Sequence, residues 1–401
     1  MSNATLYQGD CLEEMAKLPD NSIDAVVTDP PYGLSFMGNN WDFGVPGVAF
    51  WKEALRIAKP GAHLLSFGGT RTFHRIACAV EDAGWECRDT IAWVYASGFP
   101  KSMDVSKAID KKLGAKRAER GGVGEHEGTV DFGMKNRCPK CGKPYFSANP
   151  CICPREDKVA ITEEAKKWNG WGTCLKPAFE PIVIARKPVE GTIADNVLKW
   201  GVGGLNIDEC RVPSCSSGPG TTPKSSVNGR RNCMAGDIDR VEYDGSKGRF
   251  PANLIHDGSD EVLALFPDSK GMCGTIKGTE PSGITNGIYG KWSPRQACAV
   301  RGDTGSAARF FYCAKASRSE RGEGNDHPTV KPIALMEYLV KLVAPRGAIV
   351  LDPFMGSGTT GVAAVKCGCG FVGMEKEQSY FEIALRRIGK AQTVPIQGEL
   401  F

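Results

Sequence analysis

Asp29-Pro30-Pro31-Tyr32 stands directly after the apolar run Ile23-Asp24-Ala25-Val26-Val27-Thr28. That short, β-branched run predicts a buried strand of a parallel sheet, and ligands collect beyond the carboxyl ends of such strands. Pro30 and Pro31 have no amide hydrogen and a fixed φ, which leaves backbone carbonyls available as acceptors. Asp29 supplies a second acceptor, and the Tyr32 ring offers a flat surface for stacking. Two acceptors beside a platform suit an exocyclic amino group on a planar base. The plainer alternative is a strand closed by an Asp-Pro turn, so the loop needs a partner motif.

The partner is far along the sequence. Gly347-Ala348-Ile349-Val350-Leu351-Asp352 predicts a second buried strand, and Pro353-Phe354-Met355-Gly356-Ser357-Gly358-Thr359-Thr360 turns it into a helix through Val362-Ala363-Ala364-Val365. Gly356 and Gly358 are expected to let a ligand approach the backbone, at a helix N-terminus that favours electron-rich groups. A further strand, 370–374, ends in Glu375, roughly twenty residues past the glycines and placed to bind the two hydroxyls of a ribose. The dinucleotide spacing lacks its third glycine and there is no Gly-Lys-Thr phosphate loop. NAD and ATP are therefore disfavoured, and an adenosine ligand without a phosphate chain fits better.

Together these motifs resemble the β-class amino DNA methyltransferases, which use S-adenosylmethionine to methylate adenine N6 or cytosine N4. The resemblance covers residues 4–100 and 326–401, with a returning strand near 179–187. It implies a catalytic loop of Asp29, Pro30, Pro31 and Tyr32, and cofactor contacts from Phe354, Gly356, Gly358, Thr359 and Glu375. Asp10 is expected at the adenine amino group, Asp352 at the methionine amine, and Lys331, in His327-Pro328-Thr329-Val330-Lys331-Pro332, near the methionine carboxylate. For all three the alternative is a polar cap at an element end. In the implied reaction Asp29 and the Pro30 carbonyl accept the two N–H groups of a flipped-out base, which frees the nitrogen lone pair for in-line attack. Asp at the first loop position favours adenine. Cytosine N4, an RNA or protein amide substrate, and an inactive DNA-binding protein that keeps the fold are the alternatives.

Periodicity supplies the elements that position these groups. Strands are expected at 4–9, 23–28, 62–67, 88–95, 176–187, 347–352 and 370–374, with helices at 11–18, 51–58, 72–83, 331–343, 359–365 and 379–390. Joining the C-terminal end to the N-terminal end makes strand and helix alternate without a break. The expected fold is α/β: a circularly permuted Rossmann-like methyltransferase sheet with an antiparallel edge pair, formed by 176–187 against 91–95. Residues 1–100 then carry the catalytic half and 326–401 the cofactor half. Residues 101–175 are an inserted cysteine-rich segment, and 188–325, rich in Gly, Ser and Arg, a target-recognition region of loops over a small scaffold.

Within the first insert, Cys138, Cys141, Cys151 and Cys153 have the look of a zinc knuckle, the first pair at C-x-x-C spacing followed by Gly-Lys. Only one residue separates the second pair, so His126 or Cys174 could substitute. The alternative is a set of reduced, unliganded thiols. Pro150-Cys151 is not read as a cytosine-C5 nucleophile, because Cys151 lies inside this cluster.

Composition sets the remaining bounds. The 401 residues, 41% hydrophobic, can bury one full core and smaller modules. A net charge of +4 is neutral on the question of nucleic acid, although a basic stretch, 101–120, could track phosphates or form a solvated helix face. Sixteen cysteines without an apolar leader in 1–20 or a membrane-length run suggest cytosolic thiols. The expected setting is the bacterial or phage-associated cytoplasm, near the nucleoid, with double-stranded DNA as partner and no membrane. A homodimer and a companion restriction endonuclease are compatible with it.

Overall fold

The computed structural model describes residues 4–34, 44–98, 102–117, 159–213, 220–223, 240–243, 248–269, 305–314, 325, 327 and 329–393. The elements begin with β1 (Ala4–Gln8), α1 (Cys11–Ala16), β2 (Ile23–Thr28), α2 (Val48–Ile57), β3 (Ala58–Phe67), α3 (Phe73–Asp82) and β4 (Glu86–Val94). Next come α4 (Val105–Lys112), α5 (Glu163–Lys167), β5 (Phe179–Arg186) and α6 (Ile193–Trp200). Short elements follow: β6 (Gly220–Pro223), β7 (Arg240–Tyr243), β8 (Leu254–His256), α7 (Asp260–Leu263), β9 (Asp268–Ser269), β10 (Gly305–Ser306) and β11 (Tyr312–Cys313). The last group is α8 (Ile333–Val343), β12 (Ile349–Asp352), α9 (Thr359–Lys366), β13 (Gly370–Glu375) and α10 (Gln378–Gln392).

Nine strands form one mixed, mostly parallel sheet in the order β1-β13-β12-β2-β3-β5-β4-β8-β11. β2 lies near its centre with all six residues buried. Because side chains alternate across a strand, Ala25 and Val27 face a core shared with α8, α9 and α10, while Val26 faces one shared with α1, α2 and α3. β2 and β12 are parallel neighbours, Val350 opposite Ala25 and Leu351 opposite Val26. Buried Asp24 secures the pair by accepting from the Ile349 amide (2.7 Å), and it ties β2 to β3 by accepting from Lys59 Nζ (2.5 Å). The loops that leave the carboxyl ends of these two strands therefore start side by side.

The expected antiparallel pairing of 176–187 with 91–95 forms, Ile91 opposite Ile182 and Val94 opposite Phe179, but its expected place at an edge is corrected. β5 is antiparallel to both β3 and β4, so it runs between them. The antiparallel pair is also not an edge, because β8 joins β4 in parallel and β11 joins β8. Region 188–325 thus contributes strands to the main sheet rather than only loops. At three and two residues, β8 and β11 are too short to show an alternation in sequence.

The chain divides into two compact units, Met1–Ala96 with Ala178–Phe401, and Ser97–Pro177. In the second, Asp110 is buried and accepts from Arg117 Nε (2.6 Å), Thr162 Oγ1 (2.7 Å) and the Ile161 and Thr162 amides. Those donors overcome burial and hold its carboxyl well below the usual range. Arg117, one of the basic residues of 101–120, is thereby committed inside its own unit. Cys138, Cys141, Cys151 and Cys153 lie outside the described residues, as does His126; Cys174 is exposed. No group of three or more His, Cys, Asp or Glu among the described residues could hold a metal ion, and no helix there is long and apolar enough to cross a membrane.

Candidate active site

β2 ends at Thr28, whose hydroxyl donates to Asp352 Oδ1 (2.6 Å) at the end of β12. That bond joins the roots of the two predicted motifs. Asp352 also accepts from Thr360 Oγ1 (2.5 Å) and from the Phe354 amide (3.0 Å). It is only 1% exposed, and burial pushes its carboxyl up to about 6 against the pull of these donors. Asp352 was expected to meet a methionine amine. Here it ties β2, the glycine turn and α9 together.

One residue beyond Thr28 a compact polar cluster begins. Tyr32 Oη lies 2.7 Å from Asp29 Oδ1 and 3.0 Å from Glu180 Oε2. Lys331 Nζ reaches Asp29 Oδ2 (2.5 Å), Tyr32 Oη (3.2 Å) and Glu180 Oε2 (3.2 Å). Tyr95 Oη donates to Glu180 Oε1 (3.0 Å). The backbone of the loop is fixed as well, since Thr72 Oγ1 donates to the Tyr32 carbonyl (2.7 Å). Burial disfavours charge on Tyr32, and the neighbouring Asp29 and Glu180 add to this, so its hydroxyl is held protonated well above its ordinary range. Burial also opposes the Lys331 charge, but Asp29 and Glu180 outweigh it and keep the ammonium above its usual value.

Lys331, expected near the cofactor carboxylate, bonds here to the loop's own acid, with its ammonium 5.5 Å from the Tyr32 ring centre and 4.8 Å from that of Phe67. Nothing in the sequence links Glu180, at the start of β5, to position 29. The antiparallel turn of β5 between β3 and β4 makes the link.

The glycine turn is built mainly by packing. Gly356 (φ +50°) and Gly358 (φ +80°) are left-handed, and Gly358 caps α9. A methyl on Gly356 would lie 2.9 Å from His327 Nε2, and one on Gly358 2.9 Å from the Ala384 Cβ of α10. The chain's own atoms already approach closely at both positions. Phe354 packs on Phe50 and Trp51 (centres 5.8 and 6.5 Å apart). Thr359 Oγ1 and the Ser357 hydroxyl and carbonyl all accept from Arg387 Nη1.

At the outer side of this turn β13 pairs in parallel with β1, and the Gly9 amide donates to the Glu375 carbonyl (3.0 Å). Glu375 accepts from the Glu377 amide (2.8 Å), yet burial leaves its carboxyl above the ordinary range. Asp10 caps the start of α1 by accepting from the Leu12 amide (3.0 Å), with Lys376 Nζ 3.5 Å from its other oxygen. Asp10, Asp352 and Glu375 thus end three strands of one sheet edge.

Residues 23–116 and 277–386, together about half of the sequence, match the N6/N4 methyltransferase family, described as DNA methylase. The chain belongs to this family. This DNA methylase is also similar to the Type II methyltransferase M.HindIII of Haemophilus influenzae, 22% identical across 96% of this chain and 94% of that protein. M2.LlaDCHI of Lactococcus lactis subsp. cremoris, another Type II methyltransferase, is 41% identical over 76 residues, 19% of this chain and 28% of its own. Among solved structures, the cytosine-N4-specific PvuII DNA methyltransferase matches with TM-score 0.42 at 13% identity, covering 99% of this chain and 88% of that one. The M1.HpyAVI–SAM complex matches with TM-score 0.39 at 17% identity, over 96% and 98%. Asp29 and Tyr32 fall in the first matched segment of the methylase, and Asp352, Gly356, Gly358 and Glu375 in the second.

Proposed function

We propose that this DNA methylase transfers a methyl group from S-adenosylmethionine to the N6 amino group of adenine in double-stranded DNA, with the base flipped out of the helix. The observation that carries this reading is the Thr28–Asp352 bond at 2.6 Å, which sets the Asp29 loop beside the glycine turn on adjacent parallel strands. The strand order supports reading the chain as a circular permutation, in which β12, β13 and β1 lead into β2, β3, β4 and β5.

The cofactor's adenosine suits the edge formed by Asp10, Phe354, Gly356, Gly358, Thr359 and Glu375. Burial raises the Glu375 carboxyl, so this group gains from the two hydroxyl donors of a ribose. Asp352 serves this pocket from behind, by fixing the turn. When bound there, the cofactor supplies an electrophilic methyl on a positively charged sulfur. On the substrate side, Asp29 and the Pro30 carbonyl accept the two N–H groups of the base and favour a pyramidal nitrogen. Lys331 holds Asp29 Oδ2 and Tyr32 holds Oδ1, which orients the carboxylate before the base arrives. Lys331 sits at the hydroxyl end of the Tyr32 ring, and the base stacks on a face of that ring.

Asp at position 29 favours adenine; cytosine N4 is the second reading, in the same family. Region 188–325 is proposed to read the target sequence, and Cys138, Cys141, Cys151 and Cys153 to bind one structural zinc. Nucleoside mass spectrometry of DNA treated with protein and cofactor tests the assignment. N6-methyladenine is expected; N4-methylcytosine alone would change the base, and no methylated nucleoside would leave only DNA binding. Metal analysis of purified protein should find about one zinc per chain, whereas metal-free protein with every thiol titratable would reject the knuckle.

A further inference from the structure

The Tyr32 hydroxyl has one hydrogen and two carboxylate oxygens within bonding range, Asp29 Oδ1 at 2.7 Å and Glu180 Oε2 at 3.0 Å. The three hydrogens of the Lys331 ammonium do not resolve the conflict, because they point to Asp29, Glu180 and the Tyr32 oxygen itself. Tyr95 uses its hydrogen on the other Glu180 oxygen. Six short links thus join five side chains that hold five hydrogens between them. The cluster is one hydrogen short, at the Tyr32–Glu180 link.

We propose that this vacancy receives the proton released by methyl transfer, and that Glu180 is the group that stores it, through Tyr32. The inference rests on the methyltransferase reading above. The amine lone pair forms the new N–C bond, the C–S electron pair stays on sulfur, and the nitrogen is left with one proton too many. Asp29 Oδ1 accepts it and passes it to the Tyr32 oxygen while the Tyr32 hydrogen moves to Glu180 Oε2. Sulfonium, amine and carboxylate become thioether, methylamine and carboxylic acid. The charges close as well: Asp29, Glu180 and Lys331 sum to −1 beside a cationic cofactor, and to zero beside the neutral product.

Neighbouring groups leave this route open. Burial and the carboxylates keep Tyr32 and Tyr95 neutral and Lys331 charged, so none of them is the proton's final site. Asp352 and His327 also sense the Asp29 charge, but Asp352 is bonded to Thr28, Thr360 and the Phe354 amide, while the His327 ring interacts with Thr329. Glu180 is the carboxylate that the Tyr32 hydroxyl reaches besides Asp29.

Glu180→Gln keeps the shape of the side chain and cannot take up the proton. Calorimetry with each ligand alone, without DNA, should show the preference for S-adenosylmethionine over its demethylated thioether falling about tenfold, because the cluster loses its negative charge. Single-turnover methylation at saturating cofactor should slow at least tenfold, with DNA affinity kept within twofold. Equal weakening of both ligands, or full recovery of the rate at saturating cofactor, would overturn the proposal. If Glu180→Gln does not fold, Tyr32→Phe keeps both carboxylates and the ring but removes the relay hydroxyl; methylation should slow with the ligand preference unchanged, and an undiminished rate would overturn the relay. Wild-type protein that methylates no DNA would instead sink the methyltransferase reading itself.

Discussion

Gly358→Ala separates two explanations of the glycine turn, access for a ligand and packing of the chain on itself. The added methyl would lie 2.9 and 3.0 Å from Cβ and Cα of Ala384 and 3.0 Å from Cδ1 of Ile388, all on α10. Backbone strain at φ +80° costs about 1–2 kcal/mol for a residue with a Cβ, and forcing a methyl into a filled core costs about 1–3 kcal/mol. The loss should therefore be roughly 2–5 kcal/mol without any ligand present. Gly347 provides the control, since it also has φ +80° but nothing within 4 Å of a new methyl. Gly347→Ala should cost only the backbone part, about 1–2 kcal/mol. Urea unfolding of the two variants, followed by far-ultraviolet circular dichroism, measures the difference. If Gly358→Ala destabilises the free protein no more than Gly347→Ala and instead abolishes cofactor binding, the glycine serves the ligand and the packing argument fails.

Other outcomes follow from the same contacts. Asp352→Ala leaves the Thr28 and Thr360 hydroxyls and the Phe354 amide without their acceptor and should cost about 3 kcal/mol or more in denaturant unfolding. The Asp352 carboxyl is raised in the fold from 3.8 to about 6, so its contribution to stability is full below pH 4 and is lost as pH rises through 6. Asp352→Asn should remove that component, worth about 3 kcal/mol, and parallel stability–pH curves for the two proteins would contradict it. Lys331→Met should slow single-turnover methylation at least tenfold and change cofactor affinity by less than threefold. The reverse split would return Lys331 to the cofactor's carboxylate.

The strand ends were legible in the sequence because short β-branched runs close on Asp29, Asp352 and Glu375, and the strands β2, β12 and β13 that carry them form where the pattern puts them. What was hidden required the third dimension. Glu180 meets Tyr32 across 148 positions, and only the antiparallel placement of β5 brings them together. The motif around Lys331 fixes its neighbourhood but not the direction of a long, flexible side chain, which here reaches two carboxylates, Asp29 and Glu180. Gly356 and Gly358 announced a close approach without saying by what; His327 and Ala384 answer from segments distant in sequence. β8 and β11 left no periodic trace because strands of three and two residues alternate too briefly to be seen.

The Asp29 carboxylate, at the end of β2, is the proposed acceptor for the base amino group, and one comparison tests that role. Wild-type protein and Asp29→Ala are incubated with DNA and S-adenosylmethionine, the methylated nucleosides are counted by mass spectrometry, and cofactor affinity is measured on the same samples. N6-methyladenine from the wild type, none above background from the variant, and cofactor affinity within a fewfold of wild type are predicted. A variant that still methylates at a comparable rate, or one that fails only because it no longer binds the cofactor, would contradict the account.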